Sequence, residues 1–456
     1  MCRLKIQFLF LLLVWGAVWP GRAANTTNSL VWNAAADNVS ADIHGEPLWP
    51  LLEDIAHQTG WHIFVEPTAA RNVDVKFTGL SSGEALKKLL GDLNFAYVPQ
   101  TNQASQLYVF LTSRENATRA VNVEAPKTAK AKQKHIPNEL LLKVKPGTDI
   151  DALAKAIGAK VIGRDDKLGL YRLQFADADA ADAALGQLKA NSDVALVDYN
   201  YIYDPPVMPQ SINGAPVGQV SLALNPPGNS GQVIVGLVDT SIQSLGTDLD
   251  KFILKSISIA GSADVGSTDP THATSMAETI LRAMAAQGGN TSAQILPVDI
   301  YGNSTTTTSW NLILGLQAAV NGGANVVNLS LGGTTDSPIL DDFVNQVLAK
   351  GVIIFAATGN SGENFVDTPA ANPGVIAVAA TQGNQLAPYS NYGTGTAMAL
   401  PGMSIIYMGN QAYVVQGTSP ATAYATGIAA GTKSGTSMTW SQILTAMQQK
   451  FPVPAK

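Results

Sequence analysis

Val233-Ile234-Val235-Gly236-Leu237-Val238 is apolar throughout and ends on Asp239. A strand with one face in water would alternate, so an unbroken apolar run marks a strand covered on both faces, as in a parallel sheet. Val326-Val327-Asn328-Leu329-Ser330-Leu331, Val352-Ile353-Ile354-Phe355-Ala356-Ala357 and Val375-Ile376-Ala377-Val378-Ala379 behave likewise. Between these runs, Ala273 to Ala286, Asn311 to Asn321 and Leu340 to Lys350 read as helices. The alternation predicts an α/β fold, a doubly wound and mostly parallel sheet, over residues 231–451. Reactive groups in such sheets gather at the carboxyl ends of the strands. Asp239 and the loop Thr358-Gly359-Asn360-Ser361-Gly362 both follow strand ends.

The segment holds one histidine, His272, in Asp269-Pro270-Thr271-His272-Ala273-Thr274, a loop entering a helix. It is the natural general base near neutral pH, and equally a loop or cap residue when read alone. Ser419, in Gln416-Gly417-Thr418-Ser419-Pro420-Ala421-Thr422, precedes a run of small apolar residues. Pro420 suits the first helical position, which places Ser419 near the N-cap. There its hydroxyl sits at the positive end of a helix with its own amide free, where an oxyanion can be stabilised. An ordinary serine cap has the same appearance.

As an ordered set these signals are specific. Val238-Asp239-Thr240-Ser241-Ile242, His272-Ala273-Thr274-Ser275-Met276-Ala277, Asn328-Leu329-Ser330-Leu331-Gly332-Gly333, Ala357-Thr358-Gly359-Asn360 and Gly417-Thr418-Ser419-Pro420-Ala421-Thr422 resemble the successive signature motifs of the subtilases. Tyr389-Ser390-Asn391-Tyr392-Gly393 and Pro401-Gly402 resemble two lesser landmarks of that family. The resemblance implies a subtilisin-like fold and a set of roles. Ser419 attacks the peptide carbonyl, His272 takes and returns its proton, and Asp239 holds the imidazole. Asn360 and the Ser419 amide stabilise the oxyanion, while Ser330, Leu331 and Gly332 pair with an extended substrate and line its first pocket. Three features depart from the family. Ser241 and Ala273 stand in place of glycines, Glu278 stands where glycine is common and could bear on His272, and Pro420 follows the serine.

Upstream, Asp204 to Ser230 carries Pro205, Pro206, Pro209, Pro216, Pro226 and Pro227 and reads as an extended linker. Residues 135–203 read as a small α+β domain. Glu139-Leu140-Leu141-Leu142-Lys143-Val144-Lys145-Pro146-Gly147, Leu168-Gly169-Leu170-Tyr171 and Val197-Asp198-Tyr199-Asn200-Tyr201 resemble the fervidolysin-like propeptide domain of subtilases. Asp177, Asp179 and Asp182 read as the solvated face of a helix, and structural calcium finds no support in them. Residues 114–134, with Lys127, Lys130, Lys132 and Lys134 among small residues, read as a solvated linker.

Residues 38–113 read as a second small α+β domain in β-α-β-β-α-β order. Ala41-Asp42-Ile43-His44-Gly45-Glu46-Pro47-Leu48, Thr59-Gly60-Trp61 and Gly79-Leu80-Ser81-Ser82-Gly83-Glu84-Ala85-Leu86-Lys87-Lys88-Leu89-Leu90 resemble the secretin and TonB short N-terminal domain. That family implies a periplasmic setting and a protein partner. His44, His57 and His62 lack the tight spacing of a metal site and read as structural. Residues 1–23 read as an export signal: Arg3 and Lys5 precede an apolar stretch from Ile6 to Trp19, and cleavage is expected after Ala23. The single cysteine, Cys2, leaves with it, so no disulfide or thiolate chemistry is expected.

The 456 residues are 46% hydrophobic and 14% charged, a globular composition rather than a disordered one. A formal net charge of −6 supplies no basic field for nucleic acid. The expectation is an exported serine endopeptidase made as a zymogen, periplasmic or extracellular in a Gram-negative envelope. It needs no cofactor and has no transmembrane span after signal cleavage. It acts on a peptide or protein substrate, with an envelope protein as a further partner. Self-processing is expected within Asp204 to Ser230. The alternative is an inactive subtilase-fold binding or signalling protein. A secretin or receptor component rests on the first segment alone, with no barrel-sized remainder to support it.

Overall fold

The computed structural model describes residues 28–33, 37–66, 69, 71–98, 105–117, 119–121, 134–204, 206–212, 224, 233–288, 292–409 and 411–454. The export signal and most of both linkers lie outside these residues. The chain divides into two compact units, Met1–Lys127 and Thr128–Lys456.

The first unit has the expected β-α-β-β-α-β core and three further strands, Ser29–Asn33, Asn94–Val98 and Arg119–Ala120. Ser29–Asn33, Asn38–Pro47 and Asn72–Leu80 form one antiparallel sheet. Asn94–Val98, Gln106–Phe110, His62–Val65 and Arg119–Ala120 form another. Helices Leu48–Thr59 and Ser82–Leu90 pack against them through Leu51, Leu52, Ile55, Leu86 and Leu89. The second helix starts at Ser81, which forms a reciprocal capping box with Glu84. Ser29–Asn33 and Arg119–Ala120 carry too few residues to show a period. His44 lies at the surface, 2.9 Å from Asp42, and the side chain of His57 lies outside the described set.

In the second unit, Val194–Tyr203, His135–Val144, Leu170–Gln174 and Lys160–Asp165 form a sheet. Helices Ile150–Ala156 and Ala178–Lys189 accompany it. Asp177 is a cap here, accepting the Ala180 amide at 2.9 Å. The sheet continues into the C-terminal region, because Tyr203 pairs with Thr307 and Ile202 with Thr308. Leu141, Leu170 and Tyr203 share one buried cluster with Val238, Leu316 and Val344. The propeptide-like and C-terminal segments therefore form one packed unit.

The C-terminal sheet runs in the order Ile257–Ser258, Gln294–Asp299, Ile234–Asp239, Val326–Leu329, Ile353–Ala357, Ile376–Gln382, Gln385–Leu386. It is parallel except for the last pair. Helices His272–Ala285, Ser309–Asn321, Pro338–Ala349 and Thr418–Gly435 accompany it. This is the doubly wound α/β architecture expected. The sequence reading passed over Gln294–Asp299, because Pro297 interrupts it and proline is a poor residue for an interior strand. The ladder explains the tolerance. The Gln294 amide faces Val233 while the Ile295 carbonyl faces Leu254, so by alternation Pro297 faces the side where the neighbour is only Ile257–Ser258. From Ile234–Asp239 the chain steps to one side and then returns to the other. Asp239 thus ends the strand at the switch point, where such sheets bind ligands.

Small residues bring the His272 and Ser419 helices together. A Cβ on Gly427 would lie 2.4 Å from the Ile280 carbonyl oxygen and 2.6 Å from the Ala283 Cβ. Gly427→Ala is expected to destabilise the fold by about 1–3 kcal/mol, because the clash is with backbone. Gly186→Ala, on a helix where a Cβ meets nothing within 4 Å, is expected to stabilise by about 0.5–1 kcal/mol. Urea unfolding of both variants checks the contrast, and equal effects would count against it.

Candidate active site

Three strand ends and two helix starts converge on one rim of the sheet. Asp239 is the last residue of its strand. His272 is the first residue of its helix, whose start is fixed by Thr271, accepting the Thr274 amide, and by Thr240, accepting the Ala273 amide at 3.0 Å. His272 Nδ1 lies 2.8 and 2.9 Å from the two Asp239 carboxylate oxygens. Both side chains are buried, His272 completely. An ionised carboxylate can only accept, so Nδ1 carries a proton, and in the neutral ring Nε2 is the acceptor nitrogen. Asp239 also accepts the Thr240 amide at 2.6 Å. Burial and the nearby Asp239 charge push the Tyr301 hydroxyl well above the ordinary phenol range.

Ser419 is the second residue of its helix, inside the first turn rather than at the cap. Gly417 takes the cap position with φ 147°, which favours glycine, so the helix begins two residues earlier than Pro420 suggested. Pro420 still breaks no helical bond, since first-turn amides have no intrahelical acceptor. The Ser419 hydroxyl donates to the Ser330 carbonyl at 3.1 Å. Among the described residues His272 Nε2 has no hydrogen-bond partner. The structure thus joins Asp239 to His272 but leaves Ser419 turned toward Ser330.

Asn360 and the Ser419 amide face the same rim. The Asn360 Oδ1 accepts the Thr418 amide at 2.8 Å and the Thr418 hydroxyl at 3.0 Å. That fixes the carboxamide and turns its NH2 outward, where Asn360 is exposed. Ser330 bonds to Ser419 in addition to its expected place beside the substrate strand. Its carbonyl accepts from Ser419, and its buried hydroxyl accepts from Asn328 at 2.9 Å and donates to the Ser419 carbonyl at 3.3 Å. Thr426 in turn donates to Asn328 at 3.0 Å. Leu331 and Gly332 have no backbone hydrogen bonds among the described residues, leaving an open edge before Gly333 pairs with Thr368.

Sequence reasoning missed three supporting residues, Asn328, Thr418 and Asn391. The Asn391 Oδ1 accepts the Ser361 amide at 2.9 Å, the Ser361 hydroxyl at 2.8 Å and the Glu363 amide at 3.1 Å, holding the loop that carries Asn360. The landmark around Tyr389 contained that signal.

The departures other than Pro420 resolve individually. The Ser241 hydroxyl donates to Asp299, away from the triad. Ala273 is fully buried in the core. Glu278 points away from His272 and accepts from Arg282 at 2.8 and 2.5 Å and from the Tyr407 amide at 3.0 Å. Burial pushes its carboxyl up, opposed by Arg282 and the Tyr407 amide. Glu278→Ala is expected to cost about 3 kcal/mol by stranding Arg282, read by urea unfolding; unchanged stability would count against the structural role.

The fold is subtilisin-like, here with a prodomain-like region ahead of the α/β domain. Residues 230–451 match the family model described as Subtilase family, and residues 121–200 match the Fervidolysin N-terminal prodomain. M-protease of Shouchella clausii (strain KSM-K16) is 35% identical over 178 residues, 38% of this chain and 47% of that protein. Thermophilic serine proteinase of Bacillus sp. (strain AK1) is 27% identical over 335 residues, 68% of this chain and 82% of that protein. The chain therefore spans about half the length of the first of these relatives. Among solved structures, fervidolysin from Fervidobacterium pennivorans superposes with a TM-score of 0.51 at 20% identity, covering 67% of this chain and 55% of that one. That likeness concerns the fold.

Proposed function

We propose that the chain is a serine endopeptidase, exported and made as a zymogen. The observation that carries this reading is the buried Asp239–His272 pair, whose Nε2 has no hydrogen-bond partner among the described residues, on the same rim of the sheet as the helix start bearing Ser419. A peptide lies along Leu331 and Gly332. The Ser419 hydroxyl leaves the Ser330 carbonyl, transfers its proton to His272 Nε2 and attacks the scissile carbonyl. Asn360 Nδ2 and the Ser419 amide receive the oxyanion. His272 then protonates the leaving amine, and water reverses the sequence to release the acyl group. Base, orienting carboxylate and oxyanion donors all come from the chain, so the reading calls for no metal or cofactor.

Docking of the prodomain-like region supports the zymogen reading. The fully buried Asn200 accepts the Trp310 amide at 3.1 Å, satisfying a first-turn donor of the Ser309–Asn321 helix. It also donates to Glu139 at 2.8 Å, which Arg172 holds by two bonds of 2.7 Å. The chain pairs with Thr307 at Tyr203 and with Val414 at Gln210. Val414 belongs to the strand that leads into Ser419. This supports self-processing within Asp204 to Ser230.

The resting orientation of Ser419 favours a second reading, an inactive binding protein of the same fold. A fluorophosphonate separates the two. The wild type is expected to label at Ser419 and Ser419→Ala not at all, while Asn360→Ala loses about 10²- to 10³-fold in kcat. A folded wild type that neither labels nor cleaves peptides would establish the inactive reading. N-terminal sequencing is expected to find a shortened product from the wild type alone; the same product from Ser419→Ala would exclude self-cleavage.

The first unit is assigned to protein contact in the cell envelope, in the manner of secretin and TonB short N-terminal domains. Its support is the sequence resemblance and its small α+β fold. Export to the periplasm or beyond, in a Gram-negative cell, belongs to the same reading. Among the described residues no helix is long and apolar enough to cross a membrane.

A further inference from the structure

We propose that the bond between Val207 and Met208 is the one this protein cuts in itself. The inference rests on the endopeptidase reading and names the bond on which that activity first falls.

The chain between the prodomain-like and C-terminal regions is held at two points. Tyr203 pairs with Thr307, and Gln210 pairs with Val414. The first point is tied to the Asp239 side of the site. The Thr307 hydroxyl donates to the Ile300 carbonyl, and the Ile300 amide donates to the Asp239 carbonyl at 3.0 Å. The second point is tied to the Ser419 side, because the strand Gln411–Gln416 runs directly into Gly417, the cap of the Ser419 helix. Residues 204–209 lie between the two points, so the chain from Tyr203 to Gln210 reaches at most about 24 Å. A segment that short, held by elements that carry Asp239 and Ser419, meets the site intramolecularly and at high effective concentration.

Proline removes most of the bonds in it. In Asp204–Pro205, Pro205–Pro206 and Met208–Pro209 the leaving nitrogen belongs to a proline. A ring carbon takes the place of the N–H and crowds the nitrogen that His272 must protonate. In Pro206–Val207 and Pro209–Gln210 the acyl residue is a proline, with no amide to give the backbone edge at Ser330 to Gly332. Tyr203–Asp204 is held away, because Tyr203 is locked in the strand ladder and in the apolar cluster that joins the two regions. Val207–Met208 is the bond that remains. Its side chains are 45% and 50% exposed, and its backbone groups make no backbone hydrogen bonds among the described residues. Two large apolar side chains in water, on an unpaired backbone, can enter a cleft as extended chain without breaking a ladder.

In the cut, Ser419 adds to the Val207 carbonyl carbon. The bond from that carbon to the Met208 nitrogen breaks as His272 gives the nitrogen its proton. Water then splits the Val207 ester, leaving a Val207 carboxylate and a Met208 amine and restoring the Ser419 hydroxyl.

The test follows purified full-length protein by N-terminal sequencing and intact mass. Wild type is expected to yield a chain beginning Met208-Pro209-Gln210-Ser211, absent from Ser419→Ala. Met208→Pro, at an exposed position, is expected to slow processing roughly 100-fold or more, the size of a misplaced reacting group. If that variant does not fold, the wild-type terminus decides the matter alone. A wild type cut elsewhere in residues 204–230, or Met208→Pro processed as fast as wild type, overturns the assignment and leaves the endopeptidase standing. An uncut wild type that labels at Ser419 with a fluorophosphonate does the same. The Met208 terminus appearing in Ser419→Ala overturns self-cleavage. A folded wild type neither cut nor labelled overturns both readings.

Discussion

The buried pair between His272 Nδ1 and Asp239 constrains most of what surrounds it. A carboxylate with 2% exposure is costly to hold in a protein interior unless it is hydrogen-bonded. Asp239 meets that demand with the imidazole and the Thr240 amide. Thr240 also accepts the amide that follows His272, so one short segment orients the imidazole and starts its helix. The pair joins the end of one strand to the start of one helix, and its geometry holds only while those two elements stay in place.

Close packing keeps them there. The His272 and Ser419 helices approach to the point where Gly427 and Gly431 have no room for a Cβ. Hydrogen bonds at the rim then lock the remaining parts to one another. Thr426 and Asn328 tie the Ser419 helix to the central strand, Ser330 joins that strand end to Ser419, and Thr418 and Asn391 fix the Asn360 loop from two sides. The polar groups at the rim are thus shared between elements that lie far apart along the chain.

The prodomain-like region uses the same economy at its docking face. Asn200 reaches a first-turn amide that a helix leaves open, and Tyr203 extends a strand pairing into the C-terminal region. A shared apolar cluster and a satisfied helix start bind the two regions as one unit. Beyond Tyr203 the chain pairs again, Gln210 with Val414, on the strand that leads into Ser419.

Periodicity carried much of the fold. Uninterrupted apolar runs marked Ile234–Asp239, Val326–Leu329, Ile353–Ala357 and Ile376–Gln382, because a strand covered on both faces must be apolar on both. Gln294–Asp299 escaped notice, since only the ladder shows that Pro297 turns toward a two-residue neighbour. The sequence also displayed the chemistry-bearing residues in order, Asp239, His272, Asn360 and Ser419, because backbone and side-chain chemistry together restrict what can stand there. Only the tertiary structure decided which groups meet. The direction of Glu278 and the turn of Ser419 toward Ser330 each depend on contacts between distant segments. Spacing along a chain does not encode such contacts; packing in three dimensions does.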